Sequence, residues 1–444
     1  MKRLKFWMLS ASVMGMFAFA SCGNDTPDAP DGTQDDKSGV EVTPPEDKPG
    51  ENEGELPAPK DYTALKLTAS QEAAKEANND FAVALMKDVM EMQKGESTVI
   101  SPFSLYTVLS MVANGDNGET RDEMLRALGF EPGQAGLDKL NDFNSMLMTQ
   151  LPQLDSWAYA LVSNSMWVGN NMQLLPTFTS MLDKWYAAEA YSLPTLCNEN
   201  ARNLINAWCS EKTKGLIPEF LKENLVATLA IINATYFKGI WSEGFEKNNT
   251  KKANFTNLDG TTSEVDMMKN IMEQTKYVKT ADAEIVGIPY GNGNFRMVCI
   301  LPSQGSDVNT YAGRMTATQL QADFAKAEDT KCCLQMPKFD VSSSQDITNL
   351  VAKKGLARMF STGFNAISMS GQPLPMSMIL QEARVSTDEF GTVGAATTIA
   401  TWAGLDPDAE VKEPVAVTLD RPFLFVIEET STGTILFMGA VTKL

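Results

Sequence analysis

Histidine is absent from all 444 residues. Its absence removes Ser-His-Asp and Cys-His nucleophile systems, His-ligated zinc and His acid–base catalysis. No Ser-Lys pair or paired-carboxylate motif stands in for it, so a hydrolytic enzyme is disfavoured. Cysteine is scarce and awkward in number: beyond Cys22 there are Cys197, Cys209, Cys299, Cys332 and Cys333, an odd set with no C-x-x-C spacing. Cys299 sits inside the apolar run Met297 to Leu301 and Cys332-Cys333 lead a strand-like segment. The set therefore reads mainly as buried free thiols acting as small hydrophobes, with no cofactor and no metal. A Lys/Arg stripe is missing too, and with a net charge of −19 the chain is not expected to hold nucleic acid. No glycine-rich nucleotide fingerprint follows a strand. Beyond the first sixty or so residues there is no Pro/Gly/Ser-rich linker, which favours one large domain of roughly 380 residues over the two or three that length alone suggests.

What is present begins with an export signal. Lys2, Arg3 and Lys5 precede an apolar run from Phe6 to Ala20, too short to span a bilayer. It ends Phe19-Ala20-Ser21-Cys22, which resembles a bacterial lipobox, although Phe19 stands where Leu is more usual. That resemblance implies a signal peptide over 1–21 and a lipidated Cys22, the alternative being a plain secretory signal with an incidental Cys. Acyl chains hold firmly, at about 0.8 kcal/mol per buried methylene. Residues 22–60 form an acidic, Pro-rich tether with eleven Asp or Glu against three Lys, too poor in large apolar residues to offset ordering entropy. Asp25, Asp28 and Asp31 resemble the surface-export signals of Bacteroidetes-type lipoproteins, although an ordinary solvated linker would look similar. The resemblance implies a chain anchored by lipid to the bacterial outer membrane and exposed at the cell surface.

The body, 61–444, opens with an amphipathic helix that Asn79 or Asp80 is expected to cap. Thr98 to Ile100 reads as a strand passing into a helix with Pro102 in its first turn. Thr120 is expected to cap a helix through Leu128, and 139 to 151, Pro176 to Tyr186 and Glu199 to Lys212 read as helical. Val162 to Val168 alternates as a strand. From residue 225 strands take over: Thr228 to Phe237, Arg296 to Leu301, Thr330 to Phe339, Val415 to Thr418, Phe423 to Glu428 and Thr434 to Val441, with a helical pattern at Asp346 to Leu356. Helices before strands, without regular βαβ alternation, predict an α+β domain.

One stretch fits neither strand nor loop. From Thr392 to Thr401 the residues are small or β-forming, without charge or Pro. A core strand would be bulkier, and a solvated loop would carry charge or turn punctuation. Thr392, Gly394, Ala396, Thr398 and Ala400 are all small enough to face into a packed sheet, with Val393, Ala395, Thr397, Ile399 and Thr401 on its other side. The segment reads as a loop in one state and a strand in another.

Several motifs, in order, resemble the serpin family. They are Ser101-Pro102-x-Ser104; Asn206-x-Trp208 with Lys212-Thr213-x-Gly215-x-Ile217; and Asn233-Ala234-x-Tyr236-Phe237-Lys238-Gly239-x-Trp241-x-x-x-Phe245. Val265-x-Met267-Met268, Pro337-Lys338-Phe339, Phe364-x-Ala366-Ile367-Ser368, Arg421-Pro422-Phe423-x-Phe425-x-Ile427 and Phe437-Met438-Gly439 complete the set across roughly residues 75 to 442. The resemblance implies about nine helices packed on three β-sheets, with an exposed reactive loop that a protease attacks as substrate. Insertion of the cut loop as a new strand then distorts the acyl-enzyme, a mechanism of strand addition and strain release.

Carried over residue by residue, the hinge is Glu389, Gly391, Thr392, Val393, Gly394, Ala395, Ala396, Thr397 and Thr398. Val393 stands where Glu is common and should face outward. Gly394 replaces Ala, at about 0.5 to 1 kcal/mol in a strand, which would slow insertion. Counting seventeen from Glu389 inclusive puts the reactive bond at Leu405-Asp406, whereas counting back from the C-terminal motif gives Val411. Leu405 is preferred, because loop length before the cut governs distortion. It suits elastase-, chymotrypsin- or subtilisin-like proteases as partners. Ser101, Ser104 and Asn233 match the family's shutter cluster, with Gln381 where many members have His, so opening should lack a histidine's pH dependence. Trp241 is expected at the top of the sheet where insertion begins, or simply as a core Trp. A monomer is expected. A non-inhibitory serpin and a surface binding lipoprotein are the alternatives.

Overall fold

The computed structural model describes residues 58–93, 95–170, 172–392 and 413–444. The elements run α1 (Ala69–Gln93), β1 (Thr98–Ile100), α2 (Pro102–Ala113), α3 (Glu119–Ala127), α4 (Gln134–Gln150), β2 (Ala158–Val168), α5 (Pro176–Tyr186), β3 (Glu189–Ser192), α6 (Glu199–Lys212), β4 (Leu229–Ile240), β5 (Lys251–Thr256) and β6 (Thr262–Lys279). There follow β7 (Ala283–Tyr290), β8 (Phe295–Pro302), α7 (Val308–Arg314), α8 (Ala317–Phe324), β9 (Glu328–Pro337), β10 (Phe339–Asp346), α9 (Thr348–Val351), α10 (Arg358–Ser361), β11 (Leu380–Thr387), β12 (Gly391–Thr392), β13 (Val415–Thr418), β14 (Phe423–Glu429) and β15 (Thr434–Val441). The α+β class holds, with ten α-helical segments among the described residues.

A six-stranded sheet runs β10-β11-β12-β4-β2-β3. The other ladder runs β1-β15-β14-β8-β7-β6-β9-β13, with β5 on β6. It folds into two leaflets around the long β6, which pairs β5 over Thr262 to Met267, β9 from Met267 to Tyr277 with a register break between Met272 and Thr275, and β7 over Lys276 to Lys279. Three sheets therefore share two ladders. The main core joins α1 and α2 to the strands, and a second one lies under α6, around Trp167, Ile205, Trp208 and Ile232.

Three local expectations fail. α1 begins at Ala69, ahead of Asn79, because Thr68 and Gln71 cap it reciprocally: Thr68 N donates to Gln71 Oε1 and Gln71 N to Thr68 Oγ1. Asn79, buried mid-helix, instead donates to Gly433 O and accepts from Ile435 N, tying α1 to β15. Thr120 lies inside α3 and donates to Gly363 O, while Asp116 accepts from Gly118 N and Arg121 N at the helix start. The pattern over 346–356 is α9 followed by a wide turn broken at Gly355, φ +86°. Among the cysteines, Cys209, Cys299 and Cys332 are buried, Cys333 is half-buried and Cys197 exposed, all free. Burial, with a lesser push from Glu382, raises the Cys209 thiol to about 12.

Candidate functional site: the hinge and the gap it occupies

β12 is two residues long, and its position matters more than its length. It pairs antiparallel with β11 through Thr387↔Thr392 and with β4 through Gly391↔Ile240 and Thr392↔Gly239. β11 and β4 are thus parallel to one another, and among the described residues β12 is the strand that pairs with both. Close approach explains two glycines here. A Cβ on Gly391, φ +156°, would meet Gly239 O at 1.9 Å and Ile240 Cα at 2.8 Å. One on Gly239 would meet the Tyr290 and Phe237 rings at 2.6 and 2.8 Å.

Around β12 the upper end of the gap is closed and fully bonded. Trp241, 1% exposed, stacks on Tyr290 at 4.3 Å and 9°. Its Nε1 donates to Asp388 O at 3.0 Å and its backbone N to Phe390 O at 2.8 Å. The Tyr290 hydroxyl bonds Thr392 Oγ1 at 2.6 Å. The Glu389 side chain, 4% exposed, lies 2.7 Å from Lys338 Nζ and accepts from Thr250 Oγ1 at 2.8 Å, while Phe245 N donates to its carbonyl. Burial by itself would raise this carboxyl, but the Lys338 and Thr250 bonds outweigh it and hold it below the usual range.

The middle of the gap is built differently. On the β4 bank, Asn233 Oδ1 accepts from Ser104 Oγ and, at 2.9 Å, from Thr235 Oγ1, and Asn233 Nδ2 donates to Asn164 Oδ1 at 2.7 Å. On the β11 bank, Gln381 Nε2 donates to Ser101 O at 2.9 Å, and Ser101 Oγ donates to Leu436 O. Ser101 and Ser104 belong to the start of α2, so this one turn lies beneath both banks. Gln345 and Gln381 face one another across β10 and β11. Each is buried, and each has an Oε1 without a partner among the described residues.

Of the residues singled out in the sequence, Glu389, Gly391, Thr392 and Trp241 come together at the upper end. Ser101, Ser104, Asn233 and Gln381 lie at the middle. Val393, Gly394, Ala395, Ala396, Thr397, Thr398, Leu405 and Asp406 lie outside the described residues, as do Cys22 and 1–57. Sequence reasoning missed Tyr290, Thr250, Asn164, Thr235 and Gln345. Lys338 was visible within Pro337-Lys338-Phe339 and Glu389 within the hinge, but their pairing was not.

A family model described as Serpin (serine protease inhibitor) matches residues 76–444. The chain is 31% identical over 382 residues to the leukocyte elastase inhibitor of Bos taurus, covering 83% of this chain and 98% of that protein. It is 28% identical over 386 residues to Iripin-2 of Ixodes ricinus, covering 86% and 96%. Among solved structures, native tengpin, a thermophilic serpin, superposes with a TM-score of 0.74 at 24% identity, covering 87% of this chain and 97% of that one.

Proposed function

The chain belongs to the serpin family, a family of protease inhibitors rather than enzymes, and from that premise we propose that it is a suicide-substrate inhibitor of serine or cysteine proteases with apolar specificity. The observation that carries the reading is β12, one rung of a strand held antiparallel between β11 and β4. Continuing its two registers would pair Gly394 with Val385 and Phe237, Ala396 with Ala383 and Thr235, and Thr398 with Gln381 and Asn233. On β11 these inward positions, Gln381, Ala383, Val385 and Thr387, are all buried. Only small side chains would fit opposite them without overpacking or charge burial, and the sequence supplies Gly, Ala and Thr. In the reaction, the protease nucleophile attacks the Leu405 carbonyl, Asp406 leaves with the amine, and zipping of the loop into the gap outruns deacylation.

Mixing the full chain with elastase, chymotrypsin and subtilisin should give an SDS-stable complex and a released peptide beginning at Asp406. Cleavage without a complex would favour a non-inhibitory member, and a different peptide start would move the bond toward Val411. Anchoring through a lipidated Cys22 at the outer cell surface accompanies this proposal. Palmitate labelling that survives Cys22→Ala would remove it.

A further inference from the structure

We propose that Asp155, Ser156, Asn292, Asn294 and Ser431 form a binding track for an extended peptide, that the chain's own residues 58–65 fill it, and that the filled track braces the head of the gap. Residues 58–64 are exposed and belong to no helix or strand, yet this strap is bonded at every second or third position. Ser156 Oγ donates to Ala58 O at 2.7 Å, Asp155 Oδ1 accepts from Lys60 N at 2.9 Å, and Leu65 N donates to Ser431 Oγ at 2.9 Å. Between them the Asn294 amide bonds both sides of Thr63, accepting from its N at 3.2 Å and donating to its O at 2.7 Å.

All five of these bonds join a side chain of the body to the main chain of the strap. In peptide recognition of this kind main-chain bonds give affinity, and a few side chains select. Selection is left to Lys60 Nζ, which donates to Gln153 O at 2.7 Å, and to Leu65, which packs against the main core. The body groups are held in place beforehand. Asn294 and Asp155 are buried, at 0% and 2% exposure. Asp155 Oδ1 also accepts from Ser156 N and its Oδ2 from Asn292 N at 2.9 Å, while Ser431 Oγ donates to Glu429 Oε1. An arm that merely rested on the surface would not need buried, prealigned amides and carboxylates beneath it.

The track crosses a seam. Asp155 and Ser156 lead into β2, Asn292 and Asn294 form the β7–β8 turn, and Ser431 lies in the β14–β15 turn. The end of β4 sits in the same seam, with Ile240 N donating to Trp157 O at 3.0 Å and Ile240 O accepting from Gly291 N at 2.8 Å. Space there is tight, since a Cβ on Gly291, φ +48°, would meet Asp155 Oδ2 at 1.8 Å. For β2 and β4 to move away from β11 as one body, the head of β2 must slide past the β7–β8 turn, a shear motion. Residues 58–65 are bonded to both sides of the seam and so resist that slide. With the track empty, fewer bonds join the two sides, and local opening there costs less. The brace acts whether or not the chain traps a protease.

The test cuts the strap in the folded full chain, at a site-specific endopeptidase sequence inserted after Leu67. The cut segment is removed by gel filtration, and a labelled synthetic peptide of residues 58–67 is added. The peptide should bind the cut chain saturably and leave the uncut chain, whose track is filled, unlabelled. Methylating its Thr63 nitrogen should weaken binding about tenfold, the worth of one lost main-chain bond. Hydrogen exchange at the Ile240 and Gly291 amides should be about tenfold faster in the cut chain and return toward the uncut rate when peptide is added. Absence of saturable binding to a cut chain that keeps its circular dichroism overturns the track. Equal binding of the methylated peptide overturns the main-chain recognition, and unchanged exchange overturns the brace. Should the cut chain unfold, uncut Asn294→Asp tests the same point, because it keeps the side-chain shape and loses the donor to Thr63 O. Exchange at Ile240 and Gly291 should then rise, and rates equal to wild type overturn the brace.

Discussion

The upper end and the middle of the same gap hold themselves shut by different physics. At the upper end, stacked Trp241 and Tyr290, the buried Glu389 carboxylate and the β12 ladder leave each named polar group paired. At the middle, the banks are held by neutral amides and hydroxyls, each bank bonded to the start of α2, with two buried amide oxygens unpaired among the described residues. An unpaired buried acceptor costs about 1–3 kcal/mol. The middle is thus the cheaper place to separate strands, and the upper end fixes where the new strand starts.

That contrast is breakable from the top down. Trp241→Ala should cost about 3–5 kcal/mol, through lost ring burial and an unpaired Asp388 carbonyl, read from urea unfolding. A loss below about 1 kcal/mol would mean that the seat does not depend on the stack. Gly391→Ala comes next, at about 2–3 kcal/mol, because its Cβ runs into the β4 backbone. β12 should leave the gap, and complex formation should fall relative to cleavage.

Glu389→Gln should cost about 1 kcal/mol, a discounted figure because Lys338 is 37% exposed. The folded-state pKa of Glu389 lies below its ordinary value, so its contribution is present above the unfolded carboxylate range and is lost as pH falls through the lowered one. The stability difference between wild type and variant should therefore be full at pH 7 and close under acid. A constant difference from pH 7 to pH 3 would dissociate the ion pair from the hinge.

The smallest effect belongs to the middle. Insertion in the wild type should be flat between pH 5 and 8, since Gln381 does not titrate, whereas Gln381→His should introduce a slope. A sloped wild-type profile would place the pH-sensitive group elsewhere.

Legibility followed the same division. β4 was readable from its motif residues, which are properties of the chain itself, whereas the small, uncharged stretch that follows Thr392 lies outside the described residues. β6 and β11 went unread. β11 carries Glu382 and Arg384 on its half-exposed face with a polar Gln381 on the buried one, and β6 exposes Glu264 and Lys269 on opposite faces, which blurs the period-two signal. α1 was begun too late because its capping pair, Thr68 and Gln71, lies ahead of the apolar run that draws attention.

The sequence by itself determined the chemistry excluded by a missing histidine, the α+β class, and a segment small enough to become a strand. Only the tertiary structure decided that Gly391 and Thr392 enter between β11 and β4, that Lys338 answers Glu389, and that Gln345 faces Gln381. The last two pairings join residues 36 to 51 positions apart through strand register, and register is fixed by packing across the sheet, which no local pattern encodes.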